Sequence, residues 1–167
     1  MSTASPAPTP LQSLLALLLR VGGSLLAGVL GGLATRSSVG SWYPTLQRPS
    51  WNPPAWVFGP VWTTLYVLMG VAAWWVWRAA APEQAKRRAA LLFWAQLALN
   101  VLWSFLFFGL RSPGLALLEI AVLWAAILLT LRAFWRVRPL AGALLLPYLA
   151  WVSYAALLNA AIAWLNR

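Results

Sequence analysis

The sequence has no cysteine and no histidine, and only two acidic residues, Glu83 and Glu119. The first absence excludes disulfides, thiolate zinc sites and a cysteine nucleophile. The second excludes histidine triads and histidine-ligated haem. The two acids fall on different segments, which excludes a paired-carboxylate site. No metal or cofactor is expected. Charged residues make up 8% of the 167-residue chain, against roughly 25% in soluble domains. So little charge cannot clothe a water-facing surface, and an ordinary soluble enzyme is excluded. What abounds instead is apolar: 62% of residues are hydrophobic, and tryptophan occurs 13 times. An integral membrane protein of one domain follows.

The net charge is +10. In a soluble chain this would suggest nucleic acid. Here the basic residues stand at the ends of apolar runs, where they meet headgroups. Membrane lipids are therefore expected partners, and nucleic acid is not.

A helix needs about 20 apolar residues to cross a bilayer. Residues 1–10 are small, polar and Pro-rich and read as a disordered tail. Residues 11–167 read as a single all-α domain, a five-transmembrane-helix bundle with spans over 14–35, 55–78, 89–110, 113–135 and 140–165. The first run carries Arg20 and lacks a clear signal-peptidase site, so it reads as a retained span. Its Ser24, Gly28 and Gly32 are four apart, a small-residue ridge for packing within the bundle or for a homodimer seam. Pro60 lies near the start of the second span and Pro147 inside the fifth. Seven basic residues (Arg78, Lys86, Arg87, Arg88, Arg132, Arg136, Arg138) lie on one side. Four (Arg36, Arg48, Arg111, Arg167) lie on the other. Positive-inside bias then puts the N-terminus in the cytoplasm, and the expected location is a bacterial cell membrane.

Residues 36–54 form a long connector with four prolines, too interrupted for a helix. Its Trp42, Tyr43 and Trp51 are costly to leave in water, so it is expected to fold onto the bundle as a lid between helices 1 and 2. Within the spans, Gln96, Asn100 and Trp103 share one helix face. They read either as interhelical hydrogen bonding or as the oriented polar groups of an apolar pocket. Trp62, Tyr66, Met69 and Ala73 form a stripe on the second span, and Tyr148, Trp151, Ala155 and Asn159 form one on the fifth. Such stripes pack helices together, and with this composition they can also line a slot for a flat aromatic ligand. Structural hydrogen bonding is expected for Glu119.

The stretch WYPTLQRPSWNPPAWVFGPVWTTLYVLMG (42–70) closely resembles the signature of the TspO/MBR family. That family comprises the tryptophan-rich sensory proteins and the translocator, or peripheral benzodiazepine receptor, proteins. AQLALNVLWSFLFFG (95–109) and PYLAWVSYAALLN (147–159) match the same family in the same order. The resemblance implies five helices around one cavity, a lid, and a homodimer. It implies binding of porphyrins such as protoporphyrin IX and of flat drug-like ligands. By motif position, the pocket residues would be Tyr43, Pro53, Trp62, Gln96, Asn100, Tyr148, Trp151, Ala155 and Leu158. Tyr66 and Trp103 join them from their own spacing. Some members are reported to degrade protoporphyrin IX in light, and the implicated tryptophans would fall on Trp62 and Trp151. The family's helix-four acid would be Glu119. The animal proteins' sterol motif after their last Leu-Asn is incomplete here, since no Tyr precedes Arg167, so tight sterol binding is not expected.

Three functions stand side by side: a receptor or sensor for a tetrapyrrole, a light-dependent porphyrin-degrading enzyme, and a porphyrin or lipid transporter. In the first, the rings meet Trp62 and Trp151 and the ligand's propionates lie near Arg48 or Arg36. The lack of an inverted repeat or midplane charge pair argues against the third.

Overall fold

The computed structural model describes residues 8–167. Most of the expected tail lies outside them. Thr9, however, caps the first helix: its hydroxyl accepts from Gln12 N while the Gln12 side chain accepts from Thr9 N. This reciprocal pair starts α1 at Pro10 rather than at 14.

The helices are α1 (Pro10–Val39), α2 (Ala55–Arg78), α3 (Glu83–Ser104), α4 (Pro113–Val137), α5 (Pro139–Ala143) and α6 (Leu146–Leu165). A 3-10 turn covers Tyr43–Thr45, and a π-helical segment, Phe105–Gly109, continues α3. Taking α3 with its π segment and α5 with α6, five units are long and apolar enough to cross a membrane. Among the described residues there is no strand. The all-α five-span bundle is therefore the observed architecture.

Several boundaries move for local reasons. α1 runs on to Val39, so the connector begins near Gly40 and not at 36. Buried Ser38 holds this last turn by donating to Phe108 O at 2.6 Å. α3 begins at Glu83 because the charged stretch expected as a connector is itself helical, with Glu83 and Lys86 paired at 3.0 Å. The fifth span is broken at Leu144–Leu145, and Pro147 lies in the first turn of α6, where its missing N–H costs nothing.

α1 packs along α2 and α3, α3 along α4, and α4 along α6. Small residues permit the closest approaches. A Cβ on Gly70 of α2 would lie 2.5 Å from Val21 Cα of α1. The buried small face of α1 is Ser24, Ala27, Gly31, Ala34 and Ser38. Of the ridge expected at Ser24, Gly28 and Gly32, Ser24 is buried and Gly28 lies against the Tyr66 ring, but Gly32 does not pack within the bundle. Steps of four advance about 400° around a helix, so Gly32 has rotated off the packing face and has nothing near its Cβ position.

Candidate functional site: an aromatic seam under the lid

α2 and α6 approach each other closely at only a few points, and side-chain rings fill the space between them. Trp62 of α2 lies edge-on to Tyr148 of α6, with ring centres 6.2 Å apart. One turn nearer the lid, Phe58 of α2 meets Trp151 of α6 in the same geometry at 6.0 Å. Trp62 also stacks on Tyr66 at 5.5 Å, and Trp151 leans on Tyr154 at 5.7 Å. Both tryptophans therefore face the seam, each against a neighbour of the other. The slot expected between them is filled by Phe58 and Tyr148.

Beneath the rings runs a buried polar chain. Tyr66 Oη donates to Asn100 Oδ1 at 2.5 Å. Asn100 Nδ2 donates to Tyr148 Oη at 3.2 Å, and Tyr148 Oη donates to Gln96 Oε1 at 2.9 Å. Gln96 Nε2 reaches Met69 Sδ at 3.8 Å. The i, i+4 spacing of Gln96 and Asn100 places both amides on the tyrosine hydroxyls, tying α2, α3 and α6 together. In this conformation these amides act as interhelical hydrogen-bonding groups.

Two polar groups nearby have no such outlet. Among the described residues, Trp151 Nε1 is buried without a hydrogen-bond partner, and so are both carboxyl oxygens of Glu119 on α4. The structural hydrogen bonding expected of Glu119 is therefore not found. Asn159, on the adjoining helix, is already spent: its Oδ1 accepts from Trp103 Nε1 at 3.1 Å, and its Nδ2 donates to Pro113 O at 2.8 Å.

Trp103 belongs to a second aromatic cluster, closer to the lid. It stacks on buried Phe107 at 5.1 Å, and Trp42 and Tyr43 of the lid also pack on Phe107, at 5.8 and 6.3 Å. Leu158 is buried in this cluster, while Ala155 is half-buried beside the seam. The lid, residues 40–54, is anchored at several places. Tyr43 Oη donates to Asn52 Oδ1 at 2.7 Å, Tyr154 Oη donates to Trp51 O at 2.7 Å, and Gln47 pairs with Asn166. Burial pushes the Tyr43 hydroxyl above the usual tyrosine value, with the Arg48 guanidinium pulling the other way. Arg48 lies over the Tyr43 ring at 5.3 Å. It also lines an open hollow of about 440 Å³ with Pro53 and Asn52. Arg36 is exposed in the last turn of α1.

The residues singled out in the sequence thus fall into three neighbouring groups. Trp62, Tyr66, Gln96, Asn100, Tyr148 and Trp151 meet at the seam. Tyr43, Trp103 and Leu158 meet under the lid. Pro53 lies on the hollow in the lid itself. Phe58, Tyr154 and Asn166 were missed. Phe58 lies four residues before Trp62 and Tyr154 three after Trp151, so continuing the two stripes by one helical turn would have found both. Asn166 carried no such signal.

The family model described as the TspO/MBR family matches residues 20–165. Among curated relatives, the tryptophan-rich protein TspO of Chlorobaculum tepidum is 43% identical over 93% of this chain and 98% of its own length. The translocator protein of Homo sapiens is 45% identical over 71% of this chain and 70% of its own. The tryptophan-rich sensory protein of Cereibacter sphaeroides is 41% identical over 71% and 72%. With this extent of similarity and five apolar spans, the chain belongs to the TspO/MBR family and is an integral, multi-pass membrane protein.

Proposed function

We propose that this protein is a membrane receptor or sensor that binds a porphyrin, such as protoporphyrin IX, in the seam between α2 and α6. The observation that supports this most is the placement of Trp62 and Trp151 on one seam, with the Trp151 indole N–H buried and unpartnered. A flat macrocycle offers faces for the indoles to stack on. Its pyrrole nitrogens or carboxylates offer acceptors for an orphaned N–H. The rings now filling the seam are the surface that such a ligand would replace. Arg48, exposed beside the lid hollow, is placed to meet a propionate. The names of the relatives, a sensory protein and a translocator protein, agree with a binding role.

The test is quenching of intrinsic tryptophan fluorescence by protoporphyrin IX in detergent. Saturable quenching is expected, weakened when Trp62 and Trp151 are both replaced by alanine. Saturable quenching of equal affinity in the double variant would move the ligand elsewhere.

A second reading, light-dependent degradation of the bound porphyrin, is favoured by one observation. Each indole touches an oxidisable phenol, Trp62 that of Tyr66 and Trp151 that of Tyr154. Under this reading Trp62→Phe and Trp151→Phe retain binding and slow the loss of protoporphyrin IX in light. Unchanged decay in both variants refutes it.

A further inference from the structure

The opposite end of the bundle, where the basic connectors lie, has a pocket that the seam does not use. Arg20 of α1 is half-buried, and its guanidinium lies 5.2 Å from the centre of the Trp77 ring. Its Nη1 donates to Ala16 O at 3.0 Å. A guanidinium has five N–H donors to satisfy. No carboxylate serves it, since among the described residues the one ion pair joins Glu83 and Lys86. Arg20 and Lys86 line the same hollow of about 30 Å³, walled by Trp77, Phe93 and Trp94. Its rim includes exposed Trp94, whose ring lies against Gly23 of α1.

The level of this pocket in the membrane follows from the helix ends. Trp77 is the last residue but one of α2, and Lys86 is the fourth of α3. The Arg20 side chain leans toward the start of α1, as helical side chains do. All three therefore meet at the boundary between hydrocarbon and headgroups. Two more arginines lie over indoles of the same last turns of α2. Arg78 is 5.0 Å from Trp74, and Arg138 is 5.1 Å from Trp75.

We propose that this hollow seats the phosphate of an anionic phospholipid from the adjoining leaflet. One phosphoryl oxygen enters between Arg20 and Lys86, and the acyl chains lie outside against Trp94 and the exposed face of α1. The size argues for this division. A volume of about 30 Å³ has room for only a water or two, so part of the phosphate can enter and the rest of the headgroup stays outside. The charges argue for an anion, because the two cations have between them one carboxylate, the exposed Glu83 paired with Lys86, and Arg20 has none. The apolar rim argues for a lipid, because a free phosphate ion has no surface to match Trp94.

The test uses the full chain in detergent, read by native mass spectrometry and thermal unfolding. Phosphatidylglycerol, phosphatidylcholine and inorganic phosphate are added separately. Phosphatidylglycerol is expected to give a retained one-lipid adduct and to raise Tm by about 3 °C. Phosphatidylcholine and millimolar phosphate are expected to do neither. Arg20→Gln should lose the adduct and the shift, whereas Arg132→Gln, which removes an exposed cation of α4, should keep both. Should Arg20→Gln fail to fold, Lys86→Gln, at the helix end, gives the same reading. Equal responses to the two lipids, an equal shift with inorganic phosphate, or an undiminished adduct in the folded variants would overturn the proposal. None of these outcomes depends on what the seam binds.

Discussion

Gln47 and Asn166 exchange two hydrogen bonds across 119 residues of sequence. Gln47 N donates to Asn166 Oδ1 at 3.0 Å, and Asn166 Nδ2 donates to Gln47 O at 2.9 Å. The side-chain amide imitates a neighbouring strand and clasps the middle of the lid to the end of α6. Asn166→Ala removes both bonds, each worth about 1 kcal/mol. The Gln47 amide should then exchange with solvent at least about tenfold faster, and protoporphyrin IX should enter and leave faster with little change at equilibrium. Hydrogen exchange and stopped-flow quenching measure the two effects. An unchanged Gln47 amide would show that the clasp does not hold the lid.

A second fastening responds to pH. The Tyr43 hydroxyl donates to Asn52, and burial holds its pKa above the usual value. An unfolded tyrosine ionises near pH 10. The folded lid therefore has its full contribution from Tyr43 below about pH 10 and loses it as pH rises through the higher folded value. Limited proteolysis of residues 40–54 should accelerate over that alkaline window. Tyr43→Phe should remove the step and leave the lid looser at neutral pH.

The polar chain in the bundle predicts unequal costs. Asn100→Leu strands the Tyr66 hydroxyl in the interior, at about 1–3 kcal/mol, and takes one donor from Tyr148, which keeps Gln96 as its acceptor. Tyr66→Phe removes a donor and leaves only one acceptor of Asn100 unpaired, close to the ~0.6 kcal/mol average for hydrogen bonds between membrane helices. Thermal unfolding in detergent should rank the two variants in that order.

Two glycines of similar appearance should behave in opposite ways. Gly70→Val drives side-chain atoms into the Val21 backbone and should cost about 1–3 kcal/mol by overpacking. Gly32→Ala meets nothing within 4 Å and should stabilise α1 by about 0.5–1 kcal/mol through helix propensity. A Gly70→Val protein as stable as the parent would mean that α1 and α2 are not locked at this point.

The spans, the lid and the two aromatic stripes were legible in the sequence because each leaves a periodic or compositional trace. Apolar runs of membrane length, four prolines in one connector, and Trp62–Tyr66 and Tyr148–Trp151 at helical spacing are all local signals. The Gln96–Asn100 pair was legible as polar groups on one face, but not which tyrosine each would meet, since that depends on how three helices rotate together. The small face of α1 was legible only at Ser24 and Gly28, because a repeat of four drifts around a helix whose packing alternates steps of three and four, which leaves Gly32 off the bundle. The break before α6 was obscured because Pro147 marks the start of a helix rather than a kink within one. The lack of any partner for Glu119 is a property of its neighbours across helix contacts and leaves no trace along the chain.

The sparse approach of α2 and α6 decides what opening the seam requires. Helices locked backbone to backbone, as α1 and α2 are at Gly70, can be parted only by moving whole rods. Where rings act as the spacers, the swing of an indole about its own χ angles is enough to clear a path. These rings are buried or half-buried, so such swings are coupled to one another and to the lid packed above them. On the binding role proposed above, entry would then depend on the strap over the mouth as well as on the rings beneath it.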